Sequence, residues 1–167
     1  MLKKKMEREL NAQVNAELYS AYLYLSMESY FQSQNLRGFA NWIRVQAQEE
    51  VSHAMKIYDY IIERGGRVTL TAIEGPKGEW KSPLEALTDT LAHEQKVTGL
   101  INGLVDLAIA EKDHATGSFL KWFVDEQVEE EANADGLVEQ LKLVGKAPGG
   151  LFMVDQELGK RSFAAPE

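Results

Sequence analysis

The chain contains no cysteine and only four prolines among its 167 residues. Without cysteine it can form no disulfide, no cysteine-ligated zinc site, no iron–sulfur cluster and no thiol nucleophile. Basic residues are outnumbered by acidic ones, because the 18 Lys and Arg and the 26 Asp and Glu give a formal net charge of −8. Such a chain has no basic stripe to meet phosphates, so we expect no nucleic-acid partner, and the excess of carboxylates favours cations.

Long apolar runs are missing as well. No segment approaches about 18 uncharged apolar residues, and the basic N-terminal sequence MLKKKMEREL is not followed by an apolar stretch. We therefore expect a cytoplasmic protein with no membrane partner. A hydrophobic content of 44% is enough for one full core, and we predict a single domain over 1–167.

Glycine and proline divide the chain into helical segments. Between these breaks apolar residues recur at three- and four-residue spacing, and Gly65-Gly66 marks one clear stop. Ser82 and Pro83 are typical of an N-cap and a first helical position. The pattern predicts an all-α fold whose four-helix bundle spans about 5–144. Its helices are predicted at 5–34, 39–64, 83–111 and 115–144, with a short C-terminal helix at 151–160.

The segment between the second and third predicted helices has no helical period. It runs over 65–81 and is rich in glycine for this chain. A connection of about 17 residues can reach ~55 Å when extended, whereas helices of about 26 to 30 residues span ~40–45 Å. Compact domains seldom contain such a loop unless it crosses something long. We predict a crossover along the whole bundle, which makes the second and third helices parallel.

Polar residues interrupt the apolar stripe of each long helix near its middle. Glu50 and His53 lie three residues apart and so share a helix face that is otherwise apolar. In an antiparallel hairpin, residues equidistant from the turn lie at one level, and Glu17 pairs in this way with Glu50, as Glu94 does with Glu130. The sequence therefore predicts one polar layer across the bundle, formed by Glu17, Glu50, His53, Glu94, Gln127 and Glu130.

The composition of this layer indicates a metal site. Burying several carboxylates is costly unless cations neutralise them or they take up protons. Two divalent metals would cancel the four glutamates, and Glu50, near the middle, could bridge both metals. Carboxylate mixed with imidazole suits Fe, Mn or Zn rather than a soft metal.

Several motifs along the chain carry a family resemblance. They are NAELYSAYLYLSM, GFANWIRVQAQEEVSHAMK, ERGGRV, SPLEAL, the pair HE at 93–94, and DEQVEEEA at 125–132. With these motifs the sequence resembles the non-haem ferritins of bacteria and archaea over essentially its whole length. Ferritin-like bundles with a long crossover hold di-iron sites in their cores.

The resemblance implies a ferroxidase centre with two irons per chain. By motif, Glu17, Glu50 and His53 hold one iron, and Glu50, Glu94 and Glu130 hold the other. The activity it implies is oxidation of Fe(II) to Fe(III) with O2 or H2O2, followed by storage of ferric mineral in a hollow homo-oligomer of about 24 subunits.

The resemblance also implies roles for five further residues. Gln127 would bond to the metal-bound oxygen species or water, and Tyr24 would be an electron donor beside the centre. Glu49, Glu126 and Glu129 match a third, weaker iron position of bacterial members. The alternatives are a solvated helix face for Glu126 and Glu129, and an ordinary core tyrosine for Tyr24.

Differences between this sequence and related families limit the cofactors and ligands that we expect. The methionine through which bacterioferritins bind haem is replaced here by Ser52, so no haem is expected. His93 points about 100° away from Glu94 on the same helix, and His114 falls in a turn, so neither is expected as a core ligand. Two other functions stay open: a di-iron oxidase or peroxidase that stores nothing, and a bundle with a purely structural Zn or Mn ion.

Overall fold

Five α-helices and no strand make up the regular structure of residues 1–147 and 149–164, the part that the computed structural model describes. Position 148 and positions 165–167 of the predicted domain lie outside that part. The helices are α1 (Lys4–Ser33), α2 (Arg37–Glu63), α3 (Pro83–Glu111), α4 (His114–Val144) and α5 (Gly150–Leu158). The prediction of four long helices and a short C-terminal one is confirmed, and the boundaries differ from the predicted ones by at most two residues.

Local signals in the sequence explain where the helices begin. The Ser82 side chain accepts a hydrogen bond from the Glu85 backbone N–H at the start of α3, and Pro83 occupies the first turn. Asp113 caps α4 in the same way through the Thr116 N–H, at 3.1 Å. Asp113 also accepts from the Arg64 guanidinium at 3.1 Å, so the cap joins the end of α2 to the start of α4.

The connection between α2 and α3 lies along α1. Asn11 Nδ2 donates to the Arg67 carbonyl at 3.1 Å, and further along α1 the Ser26 hydroxyl donates to the Lys77 carbonyl at 2.8 Å. Near the end of α1 the rings of Tyr30 and Trp80 pack with centroids 5.4 Å apart. The connection therefore runs from one end of α1 to the other, and the predicted crossover, with α2 parallel to α3, is confirmed.

The apolar core is divided into two clusters. One contains Phe31, Phe39 and Ile43 at the end where α2 begins. The other contains Leu10 and Ile57, among others, at the opposite end. The polar layer lies between the clusters at the middle of the four long helices. None of the helices described in 1–147 and 149–164 is long and apolar enough to cross a membrane.

Candidate metal centre

All four long helices contribute buried polar side chains to the middle of the bundle. Because α1 and α2 form one antiparallel hairpin and α3 and α4 another, residues far apart in the chain reach the same level. The predicted six residues are all buried, and two glutamines that were not assigned to the site are buried with them. The layer comprises Gln13, Glu17, Gln46, Glu50, His53, Glu94, Gln127 and Glu130.

Glu17, Glu50 and His53 form the most compact group in this layer. Each offers a ligand atom within 4.8 Å of the others, and the two glutamates are only 1% and 2% exposed. His53 Nδ1 lies 3.6 Å from Glu50 Oε2. The rings of Trp122 and Phe123 meet the imidazole edge-on, at 5.3 and 6.1 Å between centroids, and these contacts fix its orientation. These are the three residues predicted to hold the first iron, and together they could hold a metal ion.

The hydrogen bonds of Glu17 leave room for a cation. Gln13 Nε2 donates to Glu17 Oε1 at 2.9 Å. The other oxygen, Oε2, is buried and has no hydrogen-bond partner among the described residues. An oxygen of the Glu50 carboxylate lies within 4.8 Å of a Glu17 oxygen. Two carboxylates that approach each other away from water need a shared proton or a metal ion between them.

Glu94 and Glu130, from the second hairpin, are held by uncharged donors. The Tyr24 hydroxyl donates to Glu94 Oε1, and Gln127 Nε2 lies 3.3 Å from Glu94 Oε2. Gln46 Nε2 donates to Glu130 Oε2 at 2.7 Å. Within the described residues, these two glutamates are not part of the group whose ligand atoms come within 4.8 Å of one another. The structure thus places the proposed ligands of the second iron in the layer, where Glu94 and Glu130 accept hydrogen bonds from neighbouring uncharged side chains.

Burial dominates the electrostatics of the layer. It raises the pKa of Glu50 well above its usual value, and the neighbouring Glu94 and Glu17 carboxylates raise that pKa further. Burial, with the repulsion of Glu130, raises the pKa of Glu94 to about 8. In Glu17 burial also raises the pKa, against the opposing effect of His53. No Lys or Arg is paired with these glutamates among the ion pairs of the described residues. Protons must therefore neutralise the layer whenever metal ions do not.

Tyr24 lies directly against the centre. Its side chain is fully buried, and burial together with the Glu94 and Glu50 charges raises the pKa of its hydroxyl well above the ordinary value. The phenol therefore stays protonated and remains a donor to Glu94. His93 packs edge-on against the Tyr24 ring at 5.8 Å and contacts Ser20 Oγ at 2.8 Å, so it faces away from the layer.

The predicted third position lies at the rim of the layer and is more open. Glu126 is half-buried and Glu129 is exposed. Glu49 forms an ion pair with Arg161 at 2.7 Å between Oε2 and Nη2. Burial raises the pKa of Glu49 to about 7, Arg161 opposes the rise, and Glu130 and Glu126 add to it. These three glutamates do not form a compact ligand group among the described residues.

Sequence reasoning missed three residues that hydrogen-bond to the proposed ligand glutamates, namely Gln13, Gln46 and Arg161. Gln13 and Gln46 each stand four residues before a proposed ligand, Glu17 and Glu50, and so share its helix face. That spacing, on a face that is otherwise apolar, was a usable signal. Arg161 follows the last helix, and no periodicity in the sequence indicates where its side chain lies.

Comparison with known proteins agrees with this geometry. A family model described as the ferritin-like domain matches residues 7–144. The bacterial non-heme ferritin of Bacteroides fragilis is 45% identical over 161 residues, which cover 96% of this chain and 100% of the relative. The bacterial non-heme ferritin of Staphylococcus saprophyticus is 45% identical over 167 residues and is matched over 100% of both chains.

Solved structures give the same result. An open-pore ferritin from the hyperthermophilic archaeon Archaeoglobus fulgidus superposes with a TM-score of 0.96 and 54% identity, over 97% of this chain and 100% of that one. A closed form of the Archaeoglobus fulgidus ferritin, engineered by site-directed mutagenesis, gives a TM-score of 0.97 at 54% identity, over 98% of this chain and 100% of that one. This chain belongs to the ferritin family.

Proposed function

We propose that this chain takes up Fe(II) in pairs at the buried layer, oxidises it there with O2 or H2O2, and stores the Fe(III) as mineral inside a shell of its own copies. The observation that carries the proposal is the set of four buried glutamates and one histidine at a single level of the bundle. Two Fe(II) ions bring four positive charges, which equal the charge of four carboxylates. Iron is the substrate of this site, and it leaves the site after oxidation.

The ligands divide between the two irons according to their hairpins. Glu17 and His53 bind the first iron, and Glu94 and Glu130 bind the second. Glu50 lies beside both groups and bridges the irons. Glu17, Glu50 and His53 support this assignment because their ligand atoms already lie close together. Glu94 and Glu130 accept hydrogen bonds from Tyr24 and Gln46, and each carboxylate has further lone pairs for the second iron.

The uncharged hydrogen-bond donors of the layer, Tyr24, Gln127 and Gln13, orient the glutamates that bind iron. Iron binds ionised carboxylates, so the protons held by Glu50 and Glu94 in the metal-free protein leave when iron enters. Gln127 and Tyr24 then orient Glu94, and Gln13 orients Glu17. Each Fe(II) gives up one electron. A pair of irons therefore supplies the two electrons that reduce O2 to H2O2, or H2O2 to water, together with two protons.

Assembly into a shell of about 24 subunits is the second part of the proposal. Apolar side chains stand exposed on the outward faces of α1 and α2, including Leu25, Val51 and Met55. Val128 and Ile109 do so on the other hairpin. Leu25, Val51 and Met55 line one surface cavity together, and apolar surface gathered in this way is typical of protein contacts. The relatives whose structures are described as open-pore and closed ferritins support a shell in this protein too.

We expect Glu49, Glu126 and Glu129 to form a third, weaker iron position at the rim. The position lies beside Glu130, whose charge acts on the Glu49 carboxylate. It can therefore receive iron that moves out of the central pair. Its carboxylates are partly exposed, which agrees with weaker and reversible binding.

Anaerobic titration with Fe(II), followed by air, tests the proposal when the same sample is sized by sedimentation. We expect rapid oxidation to saturate near two irons per chain, with further iron retained in a particle of about 24 chains. Two irons oxidised by a monomer or dimer, with ferric precipitate outside, would leave an oxidase without storage. No oxidation, combined with unfolding when metal is removed, would leave a structural metal site.

A further inference from the structure

Arg161 is held in place by α2, although it lies beyond the last helix. Asn41 Nδ2 donates to the Arg161 carbonyl at 2.9 Å and to the Leu158 carbonyl at 3.3 Å. The Arg161 guanidinium lies over the Trp42 indole, 4.6 Å from the ring centroid, and Nη1 lies 3.4 Å from the Trp42 carbonyl. These contacts fix both the backbone and the side chain of Arg161.

The helix before Arg161 is itself fixed to α2. Asp155 Oδ1 accepts from the backbone N–H groups of Gly38 and Phe39, at 2.7 and 3.1 Å. The two backbones approach so closely that a Cβ on Gly38 would lie 1.6 Å from the Asp155 carbonyl oxygen. Because α5 is packed this closely on the start of α2, it also fixes the position of the segment that follows it.

Arg161 uses this fixed position to contact one rim carboxylate. Its Nη2 lies 2.7 Å from Glu49 Oε2, and the two side chains are 21% and 20% exposed. Glu49 precedes Glu50, the proposed bridging ligand, by one residue. The Glu130 and Glu126 charges also act on Glu49. The guanidinium therefore stands where a cation at the rim would bind.

We propose that Arg161 is a built-in competitor for the third iron position, and that iron enters this position only by displacing it from Glu49. The inference rests on the third position described under the proposed function. The guanidinium occupies one Glu49 oxygen and repels an incoming cation, so it lowers the iron affinity at the rim and leaves the central pair to fill first. Arg161 is thus a positioning residue that acts through Glu49.

The affinity of the third position measures this competition. A partly exposed ion pair is weak, so we expect Arg161→Ala to raise the Fe(II) affinity of the third position by about three- to tenfold. The central pair should keep its affinity. Arg161→Lys keeps the positive charge, so the Fe(II) affinity of the third position should stay close to that of the wild type.

The chain offers a matched control one residue away. Lys160 belongs to the same segment and carries the same charge, but it pairs with Glu157 at 2.6 Å and is largely exposed. Lys160→Ala should leave the third position unchanged. In a Glu49→Gln background, Arg161→Ala should also have no effect, because Glu49 is the group through which Arg161 acts.

Anaerobic isothermal titration calorimetry of the assembled protein with Fe(II) measures the Fe(II) affinities of the two central positions and of the third position. Hydrogen exchange of the backbone over 159–164 gives a second readout, since displacement of Arg161 by the third equivalent of Fe(II) should speed exchange there in the wild type. In Arg161→Ala, exchange over 159–164 should be fast before iron is added.

Three outcomes overturn the inference, and the third of them also removes part of the proposed function. Arg161 has no such role if Arg161→Ala changes the third affinity no more than Lys160→Ala does. The same holds if the change persists in the Glu49→Gln background. Binding of only two Fe(II) per chain, alike in wild type, Glu49→Gln and Arg161→Ala, would instead remove the third position from the proposed function, and the competition with it.

Discussion

The central group and the rim group contain the same kind of side chain in different surroundings. Glu17 and Glu50 are 1% and 2% exposed, and the basic side chain that faces Glu50, at 3.6 Å, is a histidine, His53. At the rim, Glu49 has an arginine partner and Glu129 faces solvent. Carboxylates in the centre need a metal ion or a proton, whereas those at the rim already have a counter-ion or water. Charge balance therefore requires a metal ion or a proton at the centre, whereas at the rim neither is required.

This difference also explains why the centre is costly to the fold. A buried ionised carboxylate without a partner is among the most destabilising groups in a protein interior. The layer separates two well-packed apolar clusters, so a purely apolar layer would complete the core. The polar layer is a functional feature maintained against stability.

Removing Glu50, the proposed bridging ligand, should have the largest effect. Glu50→Ala takes a carboxylate from both proposed irons, and we expect the initial rate of Fe(II) oxidation to fall more than about 100-fold, beyond the loss typical of residues that only support a metal ligand. Stopped-flow absorbance after mixing with aerobic Fe(II) measures it. Glu49→Ala is the matched rim variant and should keep the initial rate within about tenfold. Equal losses of the initial oxidation rate in the two variants would contradict separate roles for the centre and the rim.

The metal-free protein should become more stable when a central carboxylate is neutralised. Glu50→Gln keeps the shape of the side chain and removes the need to bury a charge or hold a proton at pH 8, so we expect a gain of about 1–3 kcal/mol per chain. Thermal unfolding of the metal-free protein measures the gain. Glu129→Gln, at the exposed rim, should change stability by less than about 0.5 kcal/mol. A loss of stability in Glu50→Gln would mean that the layer is balanced in some other way.

The stability of the metal-free protein should fall as the pH rises. The pKa of Glu94 is raised to about 8, so the folded state holds a proton that the unfolded chain releases near its ordinary pKa of 4.5. Stability contributed by this proton is complete below about pH 4.5 and is lost as the pH rises toward about 8. Unfolding temperatures between pH 5 and 8 measure the slope.

Two variants separate the centre from the rim in this pH dependence. Glu94→Gln should flatten the fall up to about pH 8, and Glu49→Gln only up to about pH 7, where the raised pKa of Glu49 lies. Added Zn(II) should reverse the fall, because ionised carboxylates bind metal more tightly as the pH rises. A wild-type stability that increases over this range would contradict the protonated layer.

The smallest effect is expected at Tyr24. Tyr24→Phe removes the donor to Glu94 but no ligand, and we expect the oxidation rate to fall by roughly two- to tenfold, with unchanged iron stoichiometry. Tyr30→Phe, whose ring packs in the same apolar cluster as Tyr24, is the control and should keep the wild-type rate. A loss as large as that of Glu50→Ala would make Tyr24 part of the ligand set.

Much of the fold could be predicted because the signals are local. Ser82, Pro83 and Glu85 specify the start of α3 through backbone chemistry alone. Hairpin geometry determines which side chains lie at the same level, so the sequence alone predicts that Glu17 lies level with Glu50 and Glu94 with Glu130.

The features that could not be predicted from the sequence depend on tertiary contacts. A step of four and three residues along α3 predicts Thr98 in the core, yet Val97 is the buried residue, and Thr98 donates to Glu131 at the edge. The two residues are adjacent, and helical periodicity does not resolve a choice between neighbours on one face. The Arg161 contact with Glu49 spans 112 residues and depends on how α5 packs on α2.

Anomalous X-ray diffraction from crystals soaked without oxygen in limiting Fe(II) tests the difference between centre and rim most directly. At one and then two equivalents per chain, we predict iron first between Glu17, Glu50 and His53 and then between Glu50, Glu94 and Glu130, with none at Glu49. Iron that appears at Glu49 while the central layer stays empty would contradict the account.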